Sequence, residues 1–180
     1  MSILVTYASK YGAAEELAAR IAEKLRSVGH DAEVRPVKAA GDLAGYAAVV
    51  IGSAIYYGSW LKEAVEFVRR NRAVLAARPV WLFSSGPLGT SATDTQGHDL
   101  RRAAEPKELA ELREAINPRD HRVFFGALDR SKMGFKDRMI TNLPAARALF
   151  LEGDFRDWKD IEAWAESIAH ELAQMPARHR

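Results

Sequence analysis

The sequence contains no cysteine. A disulfide framework, thiolate catalysis and cysteine-ligated zinc or iron–sulfur clusters are therefore excluded, and the absence fits a reducing compartment. Charged residues interrupt every apolar stretch, so none approaches the roughly 20 residues that a transmembrane helix needs. The first residues also lack the basic segment and longer apolar stretch of a secretory signal. We therefore expect a cytoplasmic protein.

A strong excess of charge of either sign is missing as well. The chain has 26 Lys and Arg residues against 24 Asp and Glu residues, and this net charge of +2 gives no indication of a nucleic-acid partner. The charges are less evenly distributed between residues 119 and 147, which include seven basic and three acidic residues. With 180 residues the chain can bury one continuous core. We expect a single domain over residues 1–175, followed by a frayed tail over residues 176–180.

Apolar runs alternate with amphipathic helical patterns along the chain. Strands are predicted at residues 3–7, 31–37, 46–53, 79–85 and 121–128. Helices are predicted at residues 13–28, at 60–75, from Pro106 to Asn117, at 135–151 with an interruption at Pro144, and after the N-cap Asp157. Asp42 is a candidate N-cap for a further short helical turn.

This alternation is typical of a doubly wound α/β protein. The run from Tyr46 is apolar on both faces, which indicates a central parallel strand covered by helices on each side. Pro36 suits the second strand to the edge of the sheet. Ligands of such sheets bind beyond the carboxyl ends of the strands, where the strand order reverses. The loops after the first, third and fourth strands are therefore the candidate binding loops.

The first loop leads from the first strand into the first helix. Backbone N–H groups at the start of this helix, with the hydroxyl groups of Ser9 and Thr6 nearby, suit a phosphate group, and Gly12 lets the backbone approach it closely. The loop lacks both the GxxxxGK(S/T) and the GxGxxG pattern, and from this loop alone an ordinary turn capped by Ser9 is an equal alternative. Its residues are Ser9, Lys10, Tyr11, Gly12, Ala13 and Ala14.

The second and third loops add an aromatic wall and closely approaching backbone. Two adjacent tyrosines at the end of a central strand can stack on a planar ring, although they can also simply cover the sheet edge. Small residues in the third loop let a flat ligand lie against main chain, although such loops also serve as plain connectors. Together the loops predict a site for a phosphorylated planar cofactor. Their residues are Ser53, Ala54, Ile55, Tyr56, Tyr57 and Gly58, and Ser85, Gly86, Pro87, Leu88 and Gly89.

These segments resemble a known family. YASKYGAAEELA resembles the phosphate loop of flavodoxins, which bind flavin mononucleotide (FMN). VVIGSAIYYGSWLKEAVEFV resembles more closely the menaquinone-dependent protoporphyrinogen oxidases of bacterial heme synthesis, which are flavodoxin-like, and FFGALDR and DFRDWKDIEAWAESIA are similar to the last strand and helix of that subfamily. The resemblance implies a flavodoxin-like five-stranded parallel sheet of order 2-1-3-4-5 with helices on both faces. It also implies noncovalent FMN at the three loops.

Two features depart from the family pattern. Ala13 and Ala14 stand where flavodoxin phosphate loops usually end in a threonine, so a phosphate would depend on backbone amides and Ser9. The third loop has no aromatic residue to stack on a flavin, which would leave one face of the ring open to a substrate. Because flavin chemistry takes place at the ring, we expect no catalytic side chain. No pair of carboxylates or histidines has the spacing of metal ligands, so we expect no metal site. His98 and His121 are interpreted as solvated or capping residues.

An insertion at about residues 130–153 follows the fifth predicted strand. It combines an apolar group with a basic one, which suits anionic lipid headgroups or porphyrin carboxylates. Peripheral contact with the inner face of the membrane through about residues 130–147 is one interpretation, and packing of the apolar side chains into the core is the other. The two groups are Met133, Phe135, Met139, Ile140 and Leu143, and Arg130, Lys132, Lys136 and Arg138.

The resemblance and the insertion favour an FMN-dependent oxidoreductase that passes electrons from a reduced tetrapyrrole or similar donor to a quinone. The alternative is a flavodoxin-type electron carrier without its own substrate. Carriers of this type are typically strongly acidic, so the near-neutral charge favours the enzyme. A third hypothesis keeps the fold without flavin, as an interaction module. The sequence leaves the oligomeric state open.

Overall fold

The computed structural model describes residues 2–91, 93, 96–141 and 151–175. Five strands of this part of the chain form a parallel sheet in the order β2-β1-β3-β5-β6, which confirms the predicted 2-1-3-4-5 order. The two-residue β4 turns back antiparallel onto β3. The strands are β1 (Ser2–Ala8), β2 (Asp31–Pro36), β3 (Ala48–Tyr56), β4 (Ser59–Trp60), β5 (Val80–Ser85) and β6 (Asp120–Phe124).

The strand register sets the three candidate loops side by side. Ala8 at the end of β1 is aligned with Ser53 of β3, and Ala54 of β3 is aligned with Ser85 of β5. Because the strands are parallel, the chain leaves all three at the same edge of the sheet. The central strands are buried on both faces, as the apolar run from Tyr46 predicts.

Helices cover both faces of the sheet, as the sequence predicts. On one face Val5 and Val50 pack with apolar residues of α1 and α7, and on the other Leu4 and Ile51 pack with residues of α2, α3 and α5. The helices are α1 (Ala13–Ser27), α2 (Lys62–Arg70), α3 (Arg72–Ala76), α4 (Leu100–Ala103), α5 (Leu109–Ile116), α6 (Phe135–Thr141) and α7 (Trp158–Gln174), with 3-10 turns at Val37–Ala39 and Arg130–Lys132.

Helix ends follow local chemistry. α1 stops before Gly29, whose positive φ of 94° reverses the chain, and the His30 amide donates to the Leu25 carbonyl. Asp157 caps α7, as predicted, because its carboxylate accepts from the amides of Lys159 and Asp160.

Two predicted helical segments differ from the structure. The helix predicted from Trp60 begins at Lys62 instead, because Trp60 belongs to β4. It also breaks at Asn71, whose side-chain amide donates to the Phe67 carbonyl and separates α2 from α3. Asp42 caps no helix; its carboxylate accepts from the Ala44 amide in a turn, and the short helical turn precedes it at Val37–Ala39.

The last predicted strand is two strands. β6 ends at Phe124, and β7 (Ala127–Leu128) leaves the main sheet to pair antiparallel with β8 (Gly153–Asp154), which the sequence analysis missed. This small ribbon fixes both ends of the insertion, and α6 confirms a helix at its start. The predictions for the Ile140 side chain, residues 142–150 and the tail lie outside the described residues. None of the described helices is long and apolar enough to cross a membrane.

Candidate functional site

The carboxyl edge of the sheet opens into a cleft with about 500 Å³ of empty volume, which includes space open to solvent. All three predicted loops contribute to it, with Ser9, Tyr11 and Ala13, then Ala54, Ile55 and Tyr56, then Ser85, Gly86 and Leu88. We call this space the ring cleft. Its remaining wall is Gly126, Ala127, Leu128 and Met133, which the sequence analysis did not assign to the site.

Some of the other predicted site residues lie beside the ring cleft or support it. Lys10 and Tyr57 border a smaller pocket that adjoins Tyr11 and Tyr56. Ser53 is buried, and its hydroxyl donates to the Ala54 carbonyl and accepts from the Leu61 amide. The residues that line neither space are Gly12, Ala14, Ser53, Gly58, Pro87 and Gly89.

The first loop has the backbone geometry of an anion site. Gly12 precedes α1 with a φ of 93°, which favours glycine, and its amide donates to the Ser9 hydroxyl oxygen at 3.0 Å. Glu16 is the first donor of the helical ladder, so the amides of the three residues before it have no intrahelical partner. Together with the helix dipole they favour an anion. Thr6 is fully buried in β1 and borders neither space.

The two adjacent tyrosines take different positions. Tyr56 lines the ring cleft, and its ring meets that of Tyr11 edge to face at 6.1 Å between centroids. Burial raises the pKa of Tyr56 strongly, so its hydroxyl stays protonated at neutral pH. Tyr57 is 75% exposed. Tyr56 therefore gives the ring cleft an aromatic side, and Tyr57 borders only the smaller pocket next to it.

Backbone forms one wall of the cleft, as the small residues of the third loop suggest. The Gly86 amide donates to the Phe124 carbonyl, and the Gly126 amide donates to the Pro87 carbonyl. A Cβ at Gly86 would lie 2.7 Å from Val123 Cγ1. Glycine at this position therefore lets the third loop pack directly on the end of β6.

The insertion folds back over the first loop. The Asp137 carboxylate of α6 lies 2.7 Å from Lys10 Nζ and accepts a short hydrogen bond from the Tyr11 hydroxyl. Lys10 and, to a smaller extent, Tyr11 lower the pKa of Asp137. Met133 is 7% exposed and lines the ring cleft, whereas Phe135 and Met139 are 78% and 59% exposed. Packing into the interior therefore applies to Met133 but not to Phe135 and Met139.

A second, more polar cleft adjoins the ring cleft and has about 700 Å³ of empty volume. The two share Tyr11, Ala13, Ala127 and Leu128, and we call the second one the charged cleft. Its charged residues are Glu16, Asp129, Lys132, Glu152, Asp154 and Arg156. No motif in the sequence pointed to Arg156, because only the folded insertion brings it to the first loop.

His98 and His121 line neither cleft. His121 Nε2 is hydrogen-bonded to Ser84 Oγ at 2.8 Å, and Ser84 accepts from the Trp60 indole at 2.7 Å. Burial, helped by Arg113, lowers the pKa of His121 to about 4. His121 is thus part of a partly buried polar network, so its interpretation as a solvated or capping residue is wrong, whereas His98 is exposed.

A parallel sheet of this order, with a phosphate-type loop and an aromatic wall at its carboxyl edge, defines a flavodoxin-like α/β protein. Residues 4–147 match the model of the Flavodoxin domain family, and the chain belongs to this family. The search of curated proteins finds no match.

Several solved structures share the fold. A flavodoxin from the domain Archaea is 17% identical with a TM-score of 0.58, over 97% of this chain and 100% of that one. Oxidised flavodoxin 2 from Bacillus cereus is 18% identical with a TM-score of 0.61, over 95% and 99%. Rubredoxin oxygen:oxidoreductase from Desulfovibrio gigas is 15% identical with a TM-score of 0.60, and the match covers 96% of this chain but 36% of that longer one. Identities this low show the fold alone.

Proposed function

We propose that this protein binds FMN noncovalently and is an oxidoreductase similar to menaquinone-dependent protoporphyrinogen oxidase. One observation carries the proposal: a largely apolar ring cleft continues, through Tyr11 and Ala13, into a charged cleft beside the N-terminus of α1. FMN has the same division, with a planar ring at one end and a phosphate at the other. In each two-electron step a reduced tetrapyrrole would lose two electrons and two protons, and a quinone would take them up to become a quinol.

The described residues fit this cofactor. The free amides after Gly12 and the Ser9 hydroxyl would hold the phosphate, and Tyr56 and Leu88 would exclude water from the ring. Gly86 lines the ring cleft and would let a flat ring lie against backbone. When bound, the flavin supplies the redox chemistry, and the protein positions it and controls access. Ala13 and Ala14 provide no hydroxyl group to the phosphate.

The insertion supports an enzyme with its own substrate. Met133 of the insertion and Leu128 of β7 close one side of the ring cleft. An electron carrier without its own substrate would leave that side open to a docking partner. Phe135 and Met139 lie one turn apart on the exposed side of α6, next to Lys136 and Arg138. A basic, apolar surface of this kind supports contact with an anionic membrane, where a quinone acceptor is dissolved.

The first test is the absorbance spectrum of the purified protein after incubation with excess FMN and gel filtration. Retained flavin is expected, followed under anaerobic conditions by oxidation of protoporphyrinogen with a menaquinone analogue, measured as porphyrin fluorescence. The reaction should require both flavin and quinone. A protein that retains no FMN and shows no binding in a fluorescence titration would contradict any flavin-based function.

A flavodoxin-type electron carrier is the second candidate. It is supported by the archaeal flavodoxin, whose entire length this chain matches. A carrier would retain FMN and exchange electrons with a flavodoxin reductase, but it would leave protoporphyrinogen unchanged. The same two assays therefore separate the two functions.

A further inference from the structure

The charged cleft contains cations that the flavodoxin-type loop does not itself supply. It shares Tyr11 and Ala13 with the ring cleft, so a ligand whose ring occupies one can extend its polar end into the other. Lys132 comes from the turn before α6, and Arg156 follows β8. Lys132 therefore lies in the insertion, and Arg156 lies just after it.

Arg156 is held rigidly at this position. Its side chain is 5% exposed and forms ion pairs with Asp154 at 2.6 Å and with Glu16 at 2.8 Å. The guanidinium carbon lies 4.4 Å from the centroid of the Trp158 ring. Ion pairing with Asp154 and Glu16 raises the pKa of Arg156 above its ordinary value despite burial, so the cation is permanent.

One nitrogen of this guanidinium is left without a partner. Nη1 is buried and has no hydrogen-bond partner among the described residues. Leaving a buried, charged donor unsatisfied is costly, and native structures rarely do so without a reason. A hydrogen bond from a guanidinium to a phosphate oxygen is charge-assisted and therefore stronger than a neutral one.

Lys132 brings a second cation to the first loop. Its Nζ lies 3.5 Å from the Glu16 carboxylate and 3.8 Å from the position that a Cβ would take on Gly12. Glu16 in the first turn of α1 therefore lies between the two cations. A phosphate dianion placed there would compete with this single carboxylate for both of them.

The other acidic side chains of the charged cleft have partners of their own. Asp154 holds Arg156, Glu152 faces Arg130 at 4.0 Å, and Asp129 accepts two hydrogen bonds from Ser131. Asp154 engages Nε and Nη2 of Arg156, so Nη1 is the guanidinium nitrogen that remains available to a ligand.

We propose that Arg156, assisted by Lys132, binds the phosphate of FMN and replaces the hydroxyl donors that Ala13 and Ala14 lack. This inference rests on the proposed function, because it needs FMN in the ring cleft. It assigns phosphate recognition to the insertion and to the residues just after it, in addition to the first loop. Selectivity for FMN over riboflavin, which has no phosphate, then depends on Arg156.

The test compares two flavins that differ only in the phosphate. Dissociation constants of FMN and riboflavin are measured by flavin fluorescence for the parent, Arg156→Met and Lys132→Met. We expect Arg156→Met to raise the Kd for FMN about 10- to 100-fold, the usual effect of losing a charged hydrogen bond, with the Kd for riboflavin unchanged. Lys132 is half exposed, so Lys132→Met should raise it only about 2- to 5-fold.

Arg20→Met is the matched control. Arg20 lies 5.2 Å from the same Trp158 ring, pairs with Glu23 and Glu162, and lines neither cleft. It should leave both Kd values unchanged. Where Arg156→Met does not fold, as judged by circular dichroism, Arg156→Lys keeps a cation and should still show a smaller loss confined to FMN.

Two outcomes overturn the inference while leaving the proposed function intact. The first is an Arg156 variant that binds FMN with the parent's Kd, and the second is one that loses FMN and riboflavin affinity equally. A parent protein that binds neither flavin overturns the proposed function itself.

Discussion

Lys10 Nζ lies 2.7 Å from the carboxylate of Asp137, so α6 is attached to the loop that follows β1. The Tyr11 hydroxyl donates to the same carboxylate. These contacts join the start of the chain to an insertion that lies after β6. Met133 lies a few residues before Asp137, so the same contacts help to hold it at the ring cleft, which it lines.

Asp137→Asn should loosen α6 without unfolding the protein. The carboxylate's ion pair is partly exposed and worth about 0.5–1 kcal/mol, so hydrogen–deuterium exchange over residues 135–141 should become about 2- to 5-fold faster. Lys136→Gln on the same helix is the control, since Lys136 is exposed. Equal exchange in the Asp137 variant and the parent would show that the contact does not hold α6.

Gly12→Ala should weaken FMN binding by about tenfold or more and lower the free energy of unfolding by roughly 1–2 kcal/mol. The nearest atoms to the new Cβ would be 3.8 Å away, so the cost comes from the left-handed backbone and not from a clash. Gly45→Ala is the control, because nothing lies within 4 Å of its Cβ position and its φ is not positive. Urea unfolding and an FMN titration measure both effects. Unchanged FMN affinity in Gly12→Ala would contradict the assignment of the phosphate loop.

Tyr56→Leu should raise the Kd for FMN and for riboflavin by similar factors of about 3 to 10, because an aromatic wall acts on the ring and not on the phosphate. The neighbouring variant Tyr57→Leu should have less than a twofold effect, since Tyr57 is 75% exposed. Fluorescence titration with both flavins measures this. The assignment of Tyr56 fails if the two variants behave alike.

His121 should make stability depend on pH. The unfolded chain takes up a proton at the ordinary pKa of 6.5, whereas the folded protein does so only near pH 4. The contribution is therefore complete above pH 6.5 and is lost as the pH falls toward 4. Between pH 7 and pH 5 the loss is about 2 kcal/mol. Urea unfolding should show that His121→Gln removes this part of the pH dependence, and identical pH profiles would show that His121 is not its source.

Contact of α6 with a membrane predicts that binding to vesicles depends on their lipid composition. The parent should sediment with vesicles that contain phosphatidylglycerol and much less with pure phosphatidylcholine, because both charge and apolar area contribute to binding. Phe135→Ser with Met139→Ser should reduce the sedimented fraction severalfold, since these side chains are exposed. Val74→Ser is the control, because Val74 is an exposed apolar residue of a different helix, α3. Sedimentation that is equal for the parent and the double variant would exclude α6 as the contact.

Local signals predicted the elements that depend on neighbouring residues. The apolar spacing of Leu17, Ile21 and Leu25 predicted α1, and Asp157 predicted the start of α7. Two of the errors occur where a partner elsewhere in the chain decides. Trp60 reads as helical by periodicity, but pairing with Ile55 and a hydrogen bond from its indole to Ser84 place it in β4. Likewise, β7 leaves the main sheet because β8 pairs with it.

The sequence by itself determined the order of apolar and amphipathic segments, and hence a parallel sheet whose first, third and fourth loops meet at one edge. It also determined the loop chemistry, because Gly12 lies in the loop after β1 and Tyr56 is the last residue of β3. Only the tertiary structure decided what closes the site. Asp137, Met133 and Arg156 are distant in sequence from the first loop, and ion pairs or packing over such distances leave no periodic signal in the chain. They exist because β7 and β8 return the insertion across the carboxyl edge of the sheet.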